Sequence, residues 1–320
     1  MISSILRHAR LLMGPLPLQK IRIDGCLKES GDPVRILYSG SNDSLAFITG
    51  LLFSAHEVAP GQGTQDCSLV IAERPPAWRV LENPAADIRI PAWINQYIDL
   101  AAARASGHAL FSRHLRREVE RQTRRSGYAL DFSTADADRL QFFHDLYRPY
   151  VQARFDHQAI LVAESDFMQQ SAGQSLARLH SNGVWIAGML LKRRGNALKF
   201  GWFGARGSPP PPGASEVLDA LVIQWAAAQE FEKIVLGHSR PSLRDGVLRY
   251  KRRFGARIRA TPFPQPQIGI DILKCGDALA RRLDAAALIR VQDANIWMHR
   301  VDACNGVAAV RVEAFTDDRP

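Results

Sequence analysis

The chain has 320 residues, 46% of them apolar and 23% charged, and carries 41 Lys and Arg against 32 Asp and Glu, a formal excess of +9. Those proportions exclude a disordered chain, and the length suffices for two ordinary domains or one large one. Cys26, Cys67, Cys275 and Cys304 are isolated, with no Cys-x-x-Cys pair and no close histidine partner. This argues against a metal site or a disulfide framework and points to a reducing cytoplasmic setting.

The first residues, MISSILRHARLLMGPLPL, hold basic residues inside the apolar stretch and no clean cleavage site, which speaks against a signal peptide. Leu45 to Ala55 is uncharged but short of the roughly 20 residues that cross a bilayer, so no membrane span is expected. It reads as an apolar helix or strand, flanked by buried strands at Val34 to Ser39 and Ser68 to Glu73 and by a loop at Ala59 to Thr64. Residues 1–110 are expected to form an N-terminal subdomain.

From Asp136 to about Phe155, Leu140, Phe143, Tyr147 and Tyr150 recur at helical spacing, so a helix kinked at Pro149 buries an aromatic stripe. A second helix is expected from Ser165 to His180. Ser181-Asn-Gly183 then turns the chain, Val184 to Leu191 reads as a buried strand, and Ala197 to Gly204 is its hairpin partner across Arg193 to Asn196. Ala205 to Ser215 must be loop, because Pro209 to Pro212 have no backbone donors. Ser215 is the expected N-cap of a largely buried helix through Val217, Leu218, Leu221, Val222 and Trp225.

Lys233 to Gly237 is a short apolar strand, with His238, Ser239 and Arg240 where its carboxyl end opens to a crevice. Pro241 and Ser242 offer a helix entry. Asp245 to Phe254 predicts a helix with Val247, Leu248, Tyr250 and Phe254 inward, stopped by Gly255. A last strand is expected from Arg257 to Thr261, closing a domain of residues 111–262. After Phe263 a Pro-Gln-Pro-Gln run opens an extension, residues 263–320, with a helix over Asp277 to Ile289 and a disordered tail.

The basicity is local. Residues 113–125 contribute +4 and residues 244–259 contribute +6, more than the whole excess of +9, as a polyanion site requires. Arg113, Arg117, Arg121 and Arg124 fall at i, i+4, i+8 and i+11, one helical face of guanidinium groups suited to phosphate. A solvated arginine face fits the same spacing.

The run Asp245-Gly-Val-Leu-Arg-Tyr-Lys-Arg-Arg-Phe-Gly255, after a strand ending in Gly237, resembles the closing element of the Fem-type peptidyltransferases and their relatives in the GNAT acyltransferase superfamily. Leu115 to Tyr128 is similar to the arginine-rich helix that opens the catalytic half of such proteins, so the likeness covers about residues 111–260. It implies an α/β (mixed α+β) fold, a GNAT-like central mixed sheet flanked by helices, in a tandem of two GNAT-like subdomains whose first copy is reduced. The implied activity is transfer of an acyl group from acetyl-CoA or another acyl-CoA, without a metal, to an amine of a small molecule or a cell-envelope precursor. Fem-type relatives take their acyl group from aminoacyl-tRNA instead, and the proline tract, which replaces the superfamily's glycine-rich loop, moves weight towards such a donor. A module that binds polyanions without catalysis is a further alternative.

Acyl transfer needs a base for the amine, donors for the oxyanion and an acid for the leaving group. His238 is the best-placed base, its ordinary pKa lying near neutrality, or else a strand cap. By the resemblance, Lys251 lies near the reacting carbonyl, and Tyr250 is the acid or a core residue. Amides of Phe203, Gly204 and Ala205 would polarise the carbonyl, and the loop through Arg206 and Gly207 to Ser215 would meet the donor's phosphates. Arg121, Arg124, Arg125, Arg240 and Arg244 are the remaining phosphate candidates. Gly237-His-Ser-Arg-Pro241 also resembles a hydrolase nucleophile elbow around Ser239, but its last position is proline where a small residue is wanted.

Overall fold

The computed structural model describes residues 20–61, 63–74, 86–107, 110–155, 161–207, 209–259, 265–292, 295–303 and 306–312. The chain divides into two units, one of residues 1–95, 238–249 and 258–320, the other of residues 96–237 and 250–257.

The first unit opens with β1 (Lys20–Leu27), β2 (Pro33–Ser39), α1 (Asn42–Leu52), β3 (Phe53–Pro60), β4 (Leu69–Arg74) and β5 (Ile88–Pro91). β1 pairs antiparallel with β2 and β3, and β2 runs parallel to β4. The Leu45–Ala55 run is helix and then strand: Phe53 turns extended, at φ −107° and ψ 145°, while its amide still bonds the Thr49 carbonyl. Ser41 caps α1 by accepting from the Ser44 amide, and Glu73 fixes Ser41 by accepting from its amide at 2.8 Å and its hydroxyl at 2.6 Å. The Ala59–Thr64 stretch expected as loop begins inside β3, which runs to Pro60.

The second unit is built on a seven-stranded sheet. In chain order come β6 (Ile94–Asp99), α2 (Leu100–Ser106), α3 (Arg113–Ser126), β7 (Tyr128–Ser133), α4 (Asp136–Phe142), a π-helical turn (Phe143–Tyr147), α5 (Arg148–Phe155) and α6 (Glu164–Ser171). β8 (Ser175–Ser181), β9 (Val184–Arg194), β10 (Ala197–Ala205), α7 (Ala214–Ala228), β11 (Lys233–Ser239), α8 (Gly246–Arg252) and β12 (Arg257–Arg259) follow. The strand order is β12-β6-β11-β10-β9-β8-β7, with β7 to β10 an antiparallel meander and β11 parallel to β10. Such a parallel step needs a crossover, and the buried helix α7 supplies it.

Two apolar layers sandwich this sheet. Leu115 and Val119 of α3 and Val217, Leu218, Val222 and Ile223 of α7 pack with Leu179, Met189, Leu198 and Ile234 of the strands. A separate aromatic cluster joins Phe142, Phe143, Tyr147 and Phe167 to Trp185, Leu190 and Trp202.

Four expectations need correction here. The helix read over Ser165 to His180 stops at Ser171, because Gly173 turns at φ +70°, and Ser175–Ser181 is a strand buried on both faces, with Ala177 and Leu179 in one apolar layer and Leu176 in the other. The distortion placed at Pro149 lies earlier, in the π turn. A proline leaves its i−4 carbonyl without an amide, and the wider turn before it lets the chain continue as helix. Val247, expected inward, is 44% exposed, whereas Leu248 and Phe254 are buried, and Asp245 rather than Pro241 or Ser242 caps α8, accepting from the Leu248 amide at 2.7 Å. The expected end of the last strand, at Thr261, lies outside the described residues.

The chain then returns to the first unit. β13 (Gln267–Ile272) inserts antiparallel between β4 and β5, giving the order β3-β1-β2-β4-β13-β5, a mixed sheet. α9 (Asp277–Ala285) follows, ending four residues before the expected Ile289 because Ala287 takes φ +47°. β14 (Ile289–Gln292), β15 (Asn295–Asp302) and β16 (Gly306–Arg311) form an antiparallel sheet of three. Ile23, Ile36, Ile71, Ile88, Ile268, Ile270, Leu279 and Leu283 make this unit's core.

Candidate functional site

β10 and β11 pair only over Ala197–Lys199 and Lys233–Val235. Beyond them no ladder pair joins the two strands among the described residues, so a gap opens towards their carboxyl ends, the place where α/β folds hold ligands. β10 is bulged at this parting: Phe200 opposes Leu191 and Phe203 opposes Met189, leaving Gly201 and Trp202 together against Leu190. A Cβ on Gly201 would lie 2.9 Å from the Leu190 carbonyl oxygen, and one on Gly204 would lie 2.6 Å from the backbone nitrogen and Cα of Tyr147. Glycine is therefore required where the strand bulges and where the π turn presses on it. Bulges and π turns both re-aim backbone groups that a regular element would hide.

The loop after β10 is tied at both ends. The Arg206 amide donates to the Ile186 carbonyl at 2.7 Å and its Nε donates to Trp185 at 3.1 Å, so this amide is already committed. Gly207 turns at φ +84°. At the far end the Tyr128 hydroxyl donates to the Pro212 carbonyl at 3.1 Å, and the Ala214 amide to Pro211 at 3.1 Å. The cap of α7 is Gly213 at φ +74°, not Ser215, and it offers no side-chain acceptor. Glycine alone takes that conformation without strain. Ser215 thus falls inside the first turn, and among the described residues none accepts from the Ser215 and Glu216 amides.

Two bonds run between α7 and the segment around α8. The Tyr250 hydroxyl donates to Asp219 Oδ2 at 2.8 Å, and Arg253 Nη2 lies 2.6 Å from Glu216 Oε1. Glu216 and Asp219 are three residues apart on one helix, as Tyr250 and Arg253 are in the other segment, so the bonds lie side by side. Burial pushes the Asp219 carboxyl up to about 7, against the Tyr250 hydrogen bond and the charge of Lys251, which pull it down. Burial, with the Asp219 charge adding to it, pushes the Tyr250 phenol far above its ordinary range and keeps it protonated. Tyr250 also meets Phe254 edge-on at 5.3 Å between ring centroids.

Asp219 is the residue that the sequence reading missed. Its signal was present: a carboxylate inside the apolar run Val217 to Trp225, where a buried acid is costly unless bonded. Since folded Asp219 holds its proton up to about pH 7 and an unfolded aspartate releases it near 3.8, its stabilisation is complete below about pH 4 and is lost as pH rises through 7. Asp219→Asn should flatten that fall, measured as melting temperature from pH 4 to 9; an unchanged pH profile would show that Asp219 does not titrate this way.

Phe203, Gly204, Ala205, Arg206, Gly207, Ser215, Tyr250 and Lys251 all belong to the second unit, whereas His238, Arg240 and Arg244 belong to the first. His238 is exposed, its ring 6.0 Å from that of Trp93. The Arg240 guanidinium lies 3.6 Å from the Trp93 centroid and 5.3 Å from that of Phe47, and donates to the carbonyls of Ala92 and Asp43. Burial lowers its pKa, and its donors already serve the protein. Arg244 is exposed. On α3, Arg124 and Arg125 are exposed, and Arg121 pairs with Glu118 at 2.6 Å. That pair is open to solvent, so Arg121→Ala should leave the midpoint of a denaturant titration close to wild type; a clear drop would show that the guanidinium holds the fold.

Among the described residues no cluster of His, Cys, Asp and Glu is arranged to hold a metal ion, and no helix is long and apolar enough to cross a membrane. No protein-family model matches the chain, and no curated protein matches it. Solved structures similar to it include L-PGS from Bacillus licheniformis, at 14% identity over 79% of this chain and 84% of that one, TM-score 0.44. The C-terminal domain of a protein named as a lysylphosphatidylglycerol synthetase, from Agrobacterium fabrum, shows 12% identity over 89% of this chain and 96% of that one, TM-score 0.42. FemX shows 9% identity over 80% and 85%, TM-score 0.41.

Proposed function

We propose that the chain is an acyltransferase that moves an acyl group onto an amine at the parting of β10 and β11. The observation that carries this reading is the 2.8 Å Tyr250–Asp219 bond, which sets a hydroxyl proton beside a buried carboxyl whose pKa is pushed up to about 7. Attack of a neutral amine on the acyl carbonyl gives an oxyanion and a nitrogen bearing an extra proton. Collapse then expels a thiolate or alkoxide that needs one. The transfer is proton-neutral, so a phenol–carboxyl pair that gives one proton and takes one back suffices. Amides at the Gly201–Phe203 bulge would serve the oxyanion, where each positioned donor is worth roughly 10²-fold or more.

The first turn of α7, with its uncapped amides, suits a phosphate of the donor, and acyl-CoA is the first choice. A second reading, aminoacyl transfer from aminoacyl-tRNA, is favoured by Pro209–Pro212, which remove amides that would surround a pyrophosphate. A melting-temperature panel separates them, since a ligand that binds only the folded state raises the midpoint. Acetyl-CoA and longer acyl-CoA esters should raise it under the first reading, and aminoacylated tRNA alone under the second. A rise with neither would overturn both.

A further inference from the structure

A second cationic feature lies at the opposite end of the β10–β11 pair, where the strands are still joined. Lys199 stands directly opposite Lys192 across the β9–β10 hairpin, and Ala197 stands opposite Arg194. On the other side Ala197 pairs with Lys233 and Lys199 with Val235. Leu198 and Ile234, the intervening residues, are 2% and 0% exposed and point into the core. By the alternation of strands, Lys192, Arg194, Lys199 and Lys233 therefore share the other face. Arg193 points to the core side, its guanidinium 5.2 Å from the Phe231 ring, and is not part of the group.

None of the four cations has an ion-pair partner among the described residues. The nearest acid in sequence, Glu232, accepts from the Asn196 amide group at 2.9 Å. Like charges directly opposed across a ladder are destabilising, so the Lys192–Lys199 register costs stability that a neutral residue at either position would recover. Lys199 registers the crowding: partial burial, then the charges of Arg194 and Lys192, lower its pKa.

Strand spacing of about 4.8 Å and a rise of about 3.3 Å per residue put the four Cα positions within roughly 10 by 7 Å. The short side chains of Ala197 and Val235 form the floor between them. That footprint is too small for an extended polymer and matches a single compact anion. We infer that this face binds a ligand bearing two adjoining phosphate groups, at a site separate from the bulge and from the arginine face of α3. Ammonium groups ringed around a shallow floor would each meet a different oxygen, and a diphosphate would relieve the repulsion between Lys192 and Lys199.

Calorimetric titration of the full chain with inorganic pyrophosphate tests this. One saturable site is expected, weakening as salt rises, with orthophosphate bound at least tenfold more weakly. Lys192→Gln and Lys199→Gln should each weaken pyrophosphate at least tenfold while raising the ligand-free melting temperature by about 1–3 °C. Arg311→Gln on β16, an exposed cation, should leave both unchanged. No saturable pyrophosphate binding, equal binding of orthophosphate, or binding untouched by the two lysine changes would overturn the inference.

Discussion

Tyr250→Phe is expected to leave the fold intact and to lower turnover by about 10²-fold or more, with little change in KM. The ring fills the same space and keeps its edge contact with Phe254. What disappears is the proton and the 2.8 Å bond to Asp219, so the loss falls on the step in which the leaving group is protonated. Asp219→Asn should lose less, because an amide can still accept from the phenol but no longer takes a proton near pH 7. The rate–pH profile should therefore lose its limb near 7 in Asp219→Asn and keep it in the wild type. Full turnover in Tyr250→Phe would remove the acid from the scheme.

Gly204→Val is expected to be the most damaging single change in the second unit. Its Cβ would sit 2.6 Å from the nitrogen and Cα of Tyr147 and 2.7 Å from the Leu146 carbonyl carbon, all of them backbone. No flexible side chain can move aside, so the π turn must shift away from β10. With it would go the packing of Phe143, Tyr147 and Phe167 against Trp202. Overpacking of this kind costs about 1–3 kcal/mol, and more when backbone must move. A urea titration should place the midpoint well below wild type, whereas Gly195→Ala, at a turn with open space around its Cβ position, should cost far less despite its positive φ. Equal midpoints for Gly204→Val and wild type would contradict the close approach.

Much of the second unit's organisation is written locally in the sequence. Gly195-Asn196 between two apolar runs specifies the β9–β10 hairpin and the proline tract excludes regular structure before α7, whereas β11 continues two residues past the expected end at Gly237, through His238 to Ser239. Ser175–Ser181 was illegible for a physical reason: Leu176 and Leu179 are three apart, a spacing that fits a helix as well as a strand, and only the turn at Gly173 decides. The π turn was equally hidden, because Phe143 and Tyr147 keep the i, i+4 spacing that an ordinary helix would show. Nothing in the six residues of β13 tells which sheet they will join, since that choice is made by long-range packing of Ile268 and Ile270 with Ile71 and Ile88. Among the candidate site residues, Tyr250 is marked by the family resemblance and the Phe203–Ala205 strand end by the hairpin pattern. Asp219 has no periodic signal and is marked only by being an acid within an apolar helix, and the Arg240 guanidinium stacks on Trp93 and donates to the carbonyls of Ala92 and Asp43.

The central claim is that donor and acceptor meet where β10 leaves β11. Hydrogen–deuterium exchange of the full chain, with and without saturating acetyl-CoA and in parallel with aminoacylated tRNA, addresses it most directly. One of the two should slow exchange in Phe200–Arg206 and the first turn of α7. Protection confined to other segments by either ligand, or none by both, would contradict the account.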